Sequence, residues 1–361
     1  MPDLARLLSQ PMVDPGGDAA RRLKHSRVLL VGLGGLGAPV SLGLAAAGVG
    51  AIVCVDFDRV DTSNLQRQVI FGSDDVGQWK ADAAARRLRA LAPGIQVEVV
   101  REAFSVDNAA RLVAGVDLVI DGADNFATRY LVNDACVLGR RTNVFGSVSR
   151  FEGQVAVFAA PGGPCYRCLH PEPPPDGLIP NCAEGGVLGV LPGVIGALQA
   201  TEAMKLLTGL GAPLVGRLLL YDALRMRARD ITLPRDPGCP VCGDAPTITT
   251  LQSQGAFCGV VAGDYEVSAD DLVLWRRSGV PHVLVDVREP AEHAESSIDG
   301  ARLVPLARVT VEAPTLSRDV PVVVYCRTGL RSGRAAATLR ALGFDARSLT
   351  GGIDAWHRLT L

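Results

Sequence analysis

Apolar positions in the first part of the chain fall into two alternating patterns. SRVLLVG and AIVCVD are short apolar runs that read as strands, and LGAPVSLGLAAAG between them reads as a helix of small residues. VGQWKADAAARRLRAL is a second helical stretch, stopped by Pro93-Gly94. IQVEVV alternates apolar and polar positions as a strand does, and VDLVID is a strand that ends at an acidic residue. NFATRYLVNDACVLG reads as a helix and TNVFG as a further short strand. Strands alternating with helices predict an α/β fold built on a parallel, doubly wound sheet.

The pattern changes after Gly146. FEGQVAVFAAPGG and VGRLLLYDALRMRARDITL predict antiparallel strands that extend the sheet. Between them lie a proline-rich stretch, PEPPPDGLIPNC, and a long apolar helix, VLPGVIGALQATEAMKLLTG. Prolines keep that stretch out of sheet and helix, so it is expected to be an exposed crossover of the kind that carries functional groups. APTITTLQSQGAFCGVVAG reads as a linker. HVLVDVRE, VPVVVYC and DARSLTG then read as strands, and LWRRSG, RSGRAAATLRALG and GGIDAWHRL belong to helices, which predicts a second, smaller α/β unit. The expected division is a first domain over 1–243, a linker over 244–263 and a second domain over 264–361.

Composition narrows the classes. The chain has 361 residues, enough for two separate cores, and at 48% hydrophobic and 20% charged it reads as globular. A net charge of -2, with no Lys/Arg-rich tract, gives no field to recruit nucleic acid or an anionic membrane. The apolar run from Val28 to Val55 is broken by glycines and Pro39 at βαβ positions, so it reads as buried strand and helix rather than as a membrane span. Nine cysteines, an odd number, with no basic-then-apolar leader ahead of them, point to metal ligation and thiol chemistry in the cytoplasm.

Gly32, Gly34 and Gly37 form G-x-G-x-x-G between a strand and a helix start. Such glycines let the backbone approach a phosphate, and the helix amides attract its charge. The motif alone also fits a nicotinamide or flavin dinucleotide site with Asp56 on the ribose, or simply tight packing of helix on strand. The following DFDRVDTSNLQRQVIFGSDDVGQWKAD adds Asn64, Arg67 and Lys80. A dinucleotide has no evident need for these residues, whereas a triphosphate needs such cations. Taken alone, Lys80 reads as part of a solvated helix face. Asp124 follows VDLVID, at the strand end where doubly wound sheets bind ligands, and its carboxylate can hold Mg²⁺.

GLGGLG, DFD, SNLQRQ, VGQWKA, DGADNFATR, FEGQ and CAEGGVLG together resemble the MoeB/ThiF family, the ubiquitin-activating-enzyme-like adenylyltransferases, from about Arg27 to Gly243. The resemblance implies a Rossmann-like fold in which Gly35 lies against ATP within the Gly32–Gly37 loop. It implies that Asp56 of the DFD motif, which also contains Asp58, binds the ribose. Asn64, Arg67 and Lys80 would then surround the triphosphate, and Asp124 would coordinate Mg²⁺. The implied substrate is the C-terminal Gly-Gly carboxylate of a small ubiquitin-fold sulfur carrier protein, and the implied assembly is a two-fold homodimer. One departure is Ser9, which stands where the family carries an arginine that reaches the partner subunit's ATP. Arg6, Arg21 and Arg22 are the nearby cations.

Cys165-x-x-Cys168 and Cys239-x-x-Cys242 supply the four thiolates of a closed structural zinc site. Cys182, in IPNCAEGG, ends the proline-rich crossover and matches the family's reactive cysteine. A thioester and an acyl-disulfide step both stay open for it. Cys326 opens CRTGLRS between a buried strand and a helix, flanked by Arg327 and Arg331, a setting that favours a thiolate and then a persulfide. With VDVREPAEHAESSIDGARLVPL and LTGGIDAW, this segment resembles rhodanese from about Asp264 to Leu361. The resemblance makes Cys326 the persulfide carrier, Arg327 and Arg331 lining of its loop, and Asp286 and Arg288 structural support. A phosphatase loop also pairs Cys with Arg, but it needs one residue more than the four between Cys326 and Arg331. Ser296-Ser297 stands where rhodaneses commonly carry Gly-His. The five histidines form no ligand spacing.

The chain as a whole looks like an adenylyltransferase fused to a sulfurtransferase. It would use ATP, Mg²⁺ and Zn²⁺ to serve a sulfur carrier of molybdopterin, thiamine, cysteine or tRNA-thiolation chemistry. A cysteine desulfurase or thiosulfate would be the sulfur donor. A carrier-binding scaffold with weakened adenylation and a Rossmann-type oxidoreductase are the rival readings.

Overall fold

Strands β1 (Arg27–Val31), β2 (Ala51–Val55), β3 (Gln96–Val100), β4 (Leu118–Asp121) and β5 (Thr142–Ser149) run parallel in the spatial order β3-β2-β1-β4-β5. They belong to a computed structural model that describes residues 17–173, 186–252 and 265–360. The interior strands are apolar throughout because both of their faces are covered: β2 is buried at every position and β1 at all but its first. β3 lies at the sheet edge, where alternate positions meet solvent, and its sequence alternates accordingly.

Helix α1 (Asp18–His25) precedes β1, and α2 (Gly37–Ala46), α3 (Lys80–Leu91), α4 (Val106–Ala114) and α5 (Phe126–Leu138) lie in the connections between strands. The short α6 (Tyr166–Leu169) and the long α7 (Leu191–Thr208) follow. Leu44 and Leu88 from α2 and α3 pack on Leu30, Ile52 and Ile120 of one sheet face. Val113 and Val132 from α4 and α5 pack on Leu29, Val53 and Val119 of the other. β5 outruns TNVFG and reaches Ser149, because its second half pairs antiparallel with β6 (Glu152–Phe158). β7 (Arg217–Asp222) and β8 (Arg227–Thr232) complete an eight-stranded sheet as a hairpin. Residues 244–252, at the start of the expected linker, lie on this first unit. The amides of Thr247 and Ile248 donate to the Pro240 carbonyl, and Ile248 packs beside the cysteine pairs.

The chain divides into two units, Met1–Gly255 and Ala256–Leu361. The second holds five parallel strands, β9 (Glu266–Val267), β10 (Val283–Asp286), β11 (Arg302–Leu303), β12 (Val322–Tyr325) and β13 (Ala346–Leu349), in the order β11-β10-β12-β13-β9. Helices α8 (Ala269–Arg277), α9 (Pro290–Glu295), α10 (Val309–Glu312), α11 (Leu330–Ala341) and α12 (Gly352–Thr360) accompany them. β12 is fully buried, and it delivers Cys326 directly to the start of a loop ahead of α11. No helix among the described residues is long and apolar enough to cross a membrane.

Candidate functional site

The glycine loop lies at the carboxyl ends of β1 and β2. Gly32 has φ 88°, and a Cβ there would sit 2.8 Å from the Gly122 carbonyl oxygen at the end of β4. A Cβ on Gly37 would overlap the Gly32 carbonyl outright, so the turn into α2 closes only on glycine. A Cβ on Gly35 would sit 3.0 Å from Pro192 at the start of α7, with the stem of Arg67 next to it, and one on Gly34 would face the Gln68 amide. Arg67 itself donates from Nη1 to the Ser63 carbonyl (3.2 Å), and Asn64 Nδ2 donates to Ser63 Oγ (3.3 Å).

Asp56 directly follows β2 and accepts the Leu33 amide at 2.8 Å and the Asp58 amide at 2.9 Å, tying the glycine loop to the end of the neighbouring strand. Each carboxylate oxygen keeps a second lone pair for a ligand hydroxyl. Burial pushes the Asp56 carboxyl above its ordinary value, and the Lys80 charge pulls the other way. Lys80 is 5% exposed, with its Nζ 2.8 Å from Asp58 Oδ2, which overturns the solvated-face reading of this lysine. The ammonium lies under the loop because the half-exposed Asp58 carboxylate offsets its desolvation. Asp124 is exposed and has no hydrogen-bond or ion-pair partner among the described residues, which leaves its carboxylate free for a cation. Asn125, beside it, caps α5 by accepting the Thr128 amide.

Residues beyond the motif reading hold this arrangement. Asp121 Oδ1 accepts the Ala123 amide and Arg129 Nη2 donates to the Ala123 carbonyl. Burial pushes the Asp121 carboxyl up to about 6 against the pull of Arg129. Further along α5, Tyr130 donates to the His170 and Glu172 carbonyls, and Asn133 Oδ1 accepts the Tyr166 amide at 2.7 Å. Asp134 takes a two-pronged ion pair from Arg167, both prongs 2.8 Å, in a fully buried setting. These contacts seat the base of the proline-rich crossover. Its Cys182 lies outside the described residues, as do Arg6 and Ser9. The other N-terminal cations have other work: Arg21 pairs with Asp18, and Arg22 donates to the Thr208 carbonyl at the end of α7.

Cys165, Cys168, Cys239 and Cys242 converge, with all four sulfurs within 4.8 Å of one another. Sγ–Sγ separations of 3.6 Å (Cys165–Cys239) and 3.3 Å (Cys168–Cys242) lie near the ~3.8 Å expected for thiolates ~2.3 Å from a tetrahedral ion. Burial pushes Cys165 up and Cys242 up to about 12; Cys239 runs against its own burial, lowered by the amides of Cys242 and Val241. A donor set of this kind can hold a metal ion, since a bound cation supplies the charge its thiolates need.

Cys326 is 1% exposed, with its Sγ facing the Gly329 amide (3.2 Å) and Ser332 Oγ (3.6 Å). Ser332 in turn meets Ser348 Oγ on β13 at 2.9 Å. Arg331 is held by Glu292 through two bonds of 2.6 and 2.7 Å, and Arg327 sits 3.6 Å from Asp354. Arg331, aided by the Glu289 amide, draws the Glu292 carboxyl down to about 2. Asp286 and Arg288 form a buried pair, and His293 Nδ1 contacts Asp286 Oδ2 at 2.8 Å. Burial alone would raise the Asp286 carboxyl, but Arg288 and His293 hold it below its ordinary value. Ser296 Oγ contacts His357 Nε2 at 3.2 Å, so two histidines take part in the support of this loop. Sequence reasoning missed Glu292, Ser332 and His293. Their only signal was position: Glu292 closes a capping box with Glu289, and His293 follows it.

Residues 5–241 match the ThiF family, and residues 268–359 match the rhodanese-like domain. The chain is 48% identical over 359 residues to the probable adenylyltransferase/sulfurtransferase MoeZ of Mycobacterium tuberculosis, covering 96% of this chain and 90% of the relative. It is 52% identical over 260 residues to the sulfur carrier protein adenylyltransferase of Thermus thermophilus, covering 71% of this chain and 95% of the relative. In fold, it is similar to the crystal structure of E. coli MccB, with a TM-score of 0.58 at 23% identity, covering 63% of this chain and 68% of that one. With its glycine loop, its cysteine cluster and its Cys326 loop in place, the chain belongs to the ThiF family, in the form fused to a rhodanese-like domain.

Proposed function

We propose that this protein activates the C-terminal glycine carboxylate of a small ubiquitin-fold sulfur carrier with ATP and converts it to a thiocarboxylate. The observation that carries this reading is buried Lys80 paired with Asp58 beside a glycine loop pinned by Asp56, on a chain that also holds the Cys326 loop. A carboxylate is a poor electrophile. Its oxygen attacks the α-phosphorus of ATP, the bond to the pyrophosphate oxygen breaks, and an acyl-adenylate forms with AMP as leaving group. Arg67 and Lys80 offset the charge that builds on the departing pyrophosphate, and Asn64 orients the phosphates. Asp56 holds the ribose, and Gly32, Gly34, Gly35 and Gly37 admit the nucleotide close to the backbone. Asp124 would hold Mg²⁺, which supplies Lewis-acid charge at the phosphates. The four cysteines would hold Zn²⁺ as a structural clip between the two CxxC segments.

Sulfur enters at Cys326. Its thiolate takes the outer sulfur of a donor, a desulfurase persulfide or thiosulfate, and releases the donor's thiolate or sulfite. The Gly329 amide and the Ser332 hydroxyl stabilise the charge on Cys326. The terminal persulfide sulfur then attacks the acyl carbon and displaces AMP. A thiol, Cys182 or an external reductant, attacks the Cys326 sulfur of the acyl disulfide and frees the thiocarboxylate. The resulting disulfide is reduced by a second thiol. The family's two-fold homodimer is the proposed assembly.

The test is ATP–pyrophosphate exchange with and without a carrier ending in Gly-Gly. Carrier-dependent exchange supports the reading, and no exchange with any such carrier of the cell overturns its first half.

A further inference from the structure

One buried pair of charges has no part in the scheme above. Asp121, the last residue of β4, and Arg129, in the first turn of α5, are 0% and 7% exposed. Arg129 Nε lies 3.8 Å from Asp121 Oδ2, and neither atom makes a hydrogen bond among the described residues. A buried ion pair this loose is a poor stabiliser, since desolvation costs several kcal/mol per ion and only close geometry recovers it. What the pair does instead is grip one residue from both sides. The Ala123 amide donates to Asp121 Oδ1 at 2.9 Å, and the Ala123 carbonyl accepts from Arg129 Nη2 at 3.0 Å.

The same strand end is held elsewhere too. Gln199 on α7 donates from Nε2 to the Asp121 carbonyl (2.8 Å) and to the Val144 carbonyl (3.2 Å). It reaches them because Gly146 leaves the space that a Cβ would occupy. Gly122 is wedged against Gly32 of the nucleotide loop. The Arg129 guanidinium lies over the Phe145 ring at 5.0 Å and the Phe126 ring at 5.6 Å, a site that orients its fork. The next residue after this gripped peptide is Asp124, which is exposed and unpartnered among the described residues.

We propose that Asp121 and Arg129 are positioning residues that set the direction of the Asp124 carboxylate toward a divalent cation on the nucleotide. This rests on the reading of Asp124 as the Mg²⁺-facing carboxylate. Partners behind a metal ligand fix its orientation, and losing one typically costs about 10–100-fold in metal affinity or activity.

The test is equilibrium binding of ATP to the full-length protein with and without Mg²⁺, by calorimetric titration. The ratio of the two affinities is the readout, so no turnover is needed. In the wild type Mg²⁺ should tighten ATP binding, and Asp124→Asn should abolish that gain. Asp121→Asn keeps the shape and one acceptor for the Ala123 amide but loses the charge that orients Arg129. It should cut the Mg²⁺-dependent gain by about 10–100-fold and leave metal-free ATP affinity unchanged, and Arg129→Gln should do the same. A full gain in the folded variants overturns the inference and spares the Asp124 reading. An equal loss with and without Mg²⁺ assigns the pair to folding alone and also overturns it. No gain in the wild type removes the Asp124 reading and the inference together. If both variants fail to fold, wild-type crystals soaked with ATP and Mg²⁺ decide. Asp124 on the cation with both Ala123 bonds intact supports the inference, and a bound cation with either bond broken overturns it.

Discussion

Lys80 shows how much one residue's meaning depends on what surrounds it. On the helical pattern it is one of several charges in an Ala/Arg-rich stretch, yet it is 5% exposed and paired with Asp58. Replacing it with Ala should lower the ATP–pyrophosphate exchange rate by roughly 10²–10³, the usual cost of removing one charge-stabilising donor. A loss below tenfold would remove it from the phosphate site. Glu292 carries a second expectation at this scale. Its carboxyl falls from an ordinary 4.5 to about 2 in the fold, chiefly through Arg331. A depressed folded value means the contribution to stability is fully present above pH 4.5 and is lost as pH falls toward 2. Acid titration of unfolding should therefore show a component in that window that Glu292→Gln abolishes; an unchanged profile in the variant contradicts it. The glycines and Asp56 were legible because backbone geometry demands those residue types at fixed spacing. Lys80 was read as a triphosphate cation, but its burial and its Asp58 partner were not legible, nor were Glu292 and His293, because such partners come from other elements or turns that spacing does not encode.

Among the elements, α5 joins the end of β4 to the base of the proline-rich crossover. Its first turn reaches the Asp121–Ala123 turn through Arg129, and its later turns hold Tyr166, Arg167, His170 and Glu172. Breaking one end of the buried Asp134–Arg167 pair leaves a charge without its counterion. Asp134→Ala should cost about 3–5 kcal/mol in denaturant unfolding. A loss within experimental error would mean that Arg167 finds another acceptor. The cysteine cluster lies beside the same segment, so removing a metal held there, as proposed, with a chelator should lower the unfolding midpoint of the first unit and leave the second unit's transition in place. A calorimetric scan that moves both transitions together would contradict a clip confined to the first unit. Sequence periodicity located β1, β2, β3, α5 and α7, whose burial is regular. It understated β5, whose polar second half is a strand only because β6 folds back on it, and it gave no sign of the two-residue strands β9 and β11.

At the scale of the molecule, two chemistries sit on two sheets. On the proposed reading, activation belongs to the carboxyl edge of the first sheet, and sulfur handling to the loop that leaves β12 in the second. The glycine loop is pinned by contacts within the first unit, and the Cys326 sulfur meets hydrogen-bond donors within the second. Cys326→Ala should therefore leave carrier-dependent exchange at the wild-type rate; loss of exchange in that variant would mean the two activities are not separable. The most direct measurement is the intact mass of a Gly-Gly carrier after incubation with this protein, ATP, Mg²⁺ and a persulfide donor. The account predicts replacement of one carrier oxygen by sulfur, dependent on ATP and absent with Cys326→Ala. An unchanged carrier mass under every such condition, or sulfur gained without ATP, would contradict it.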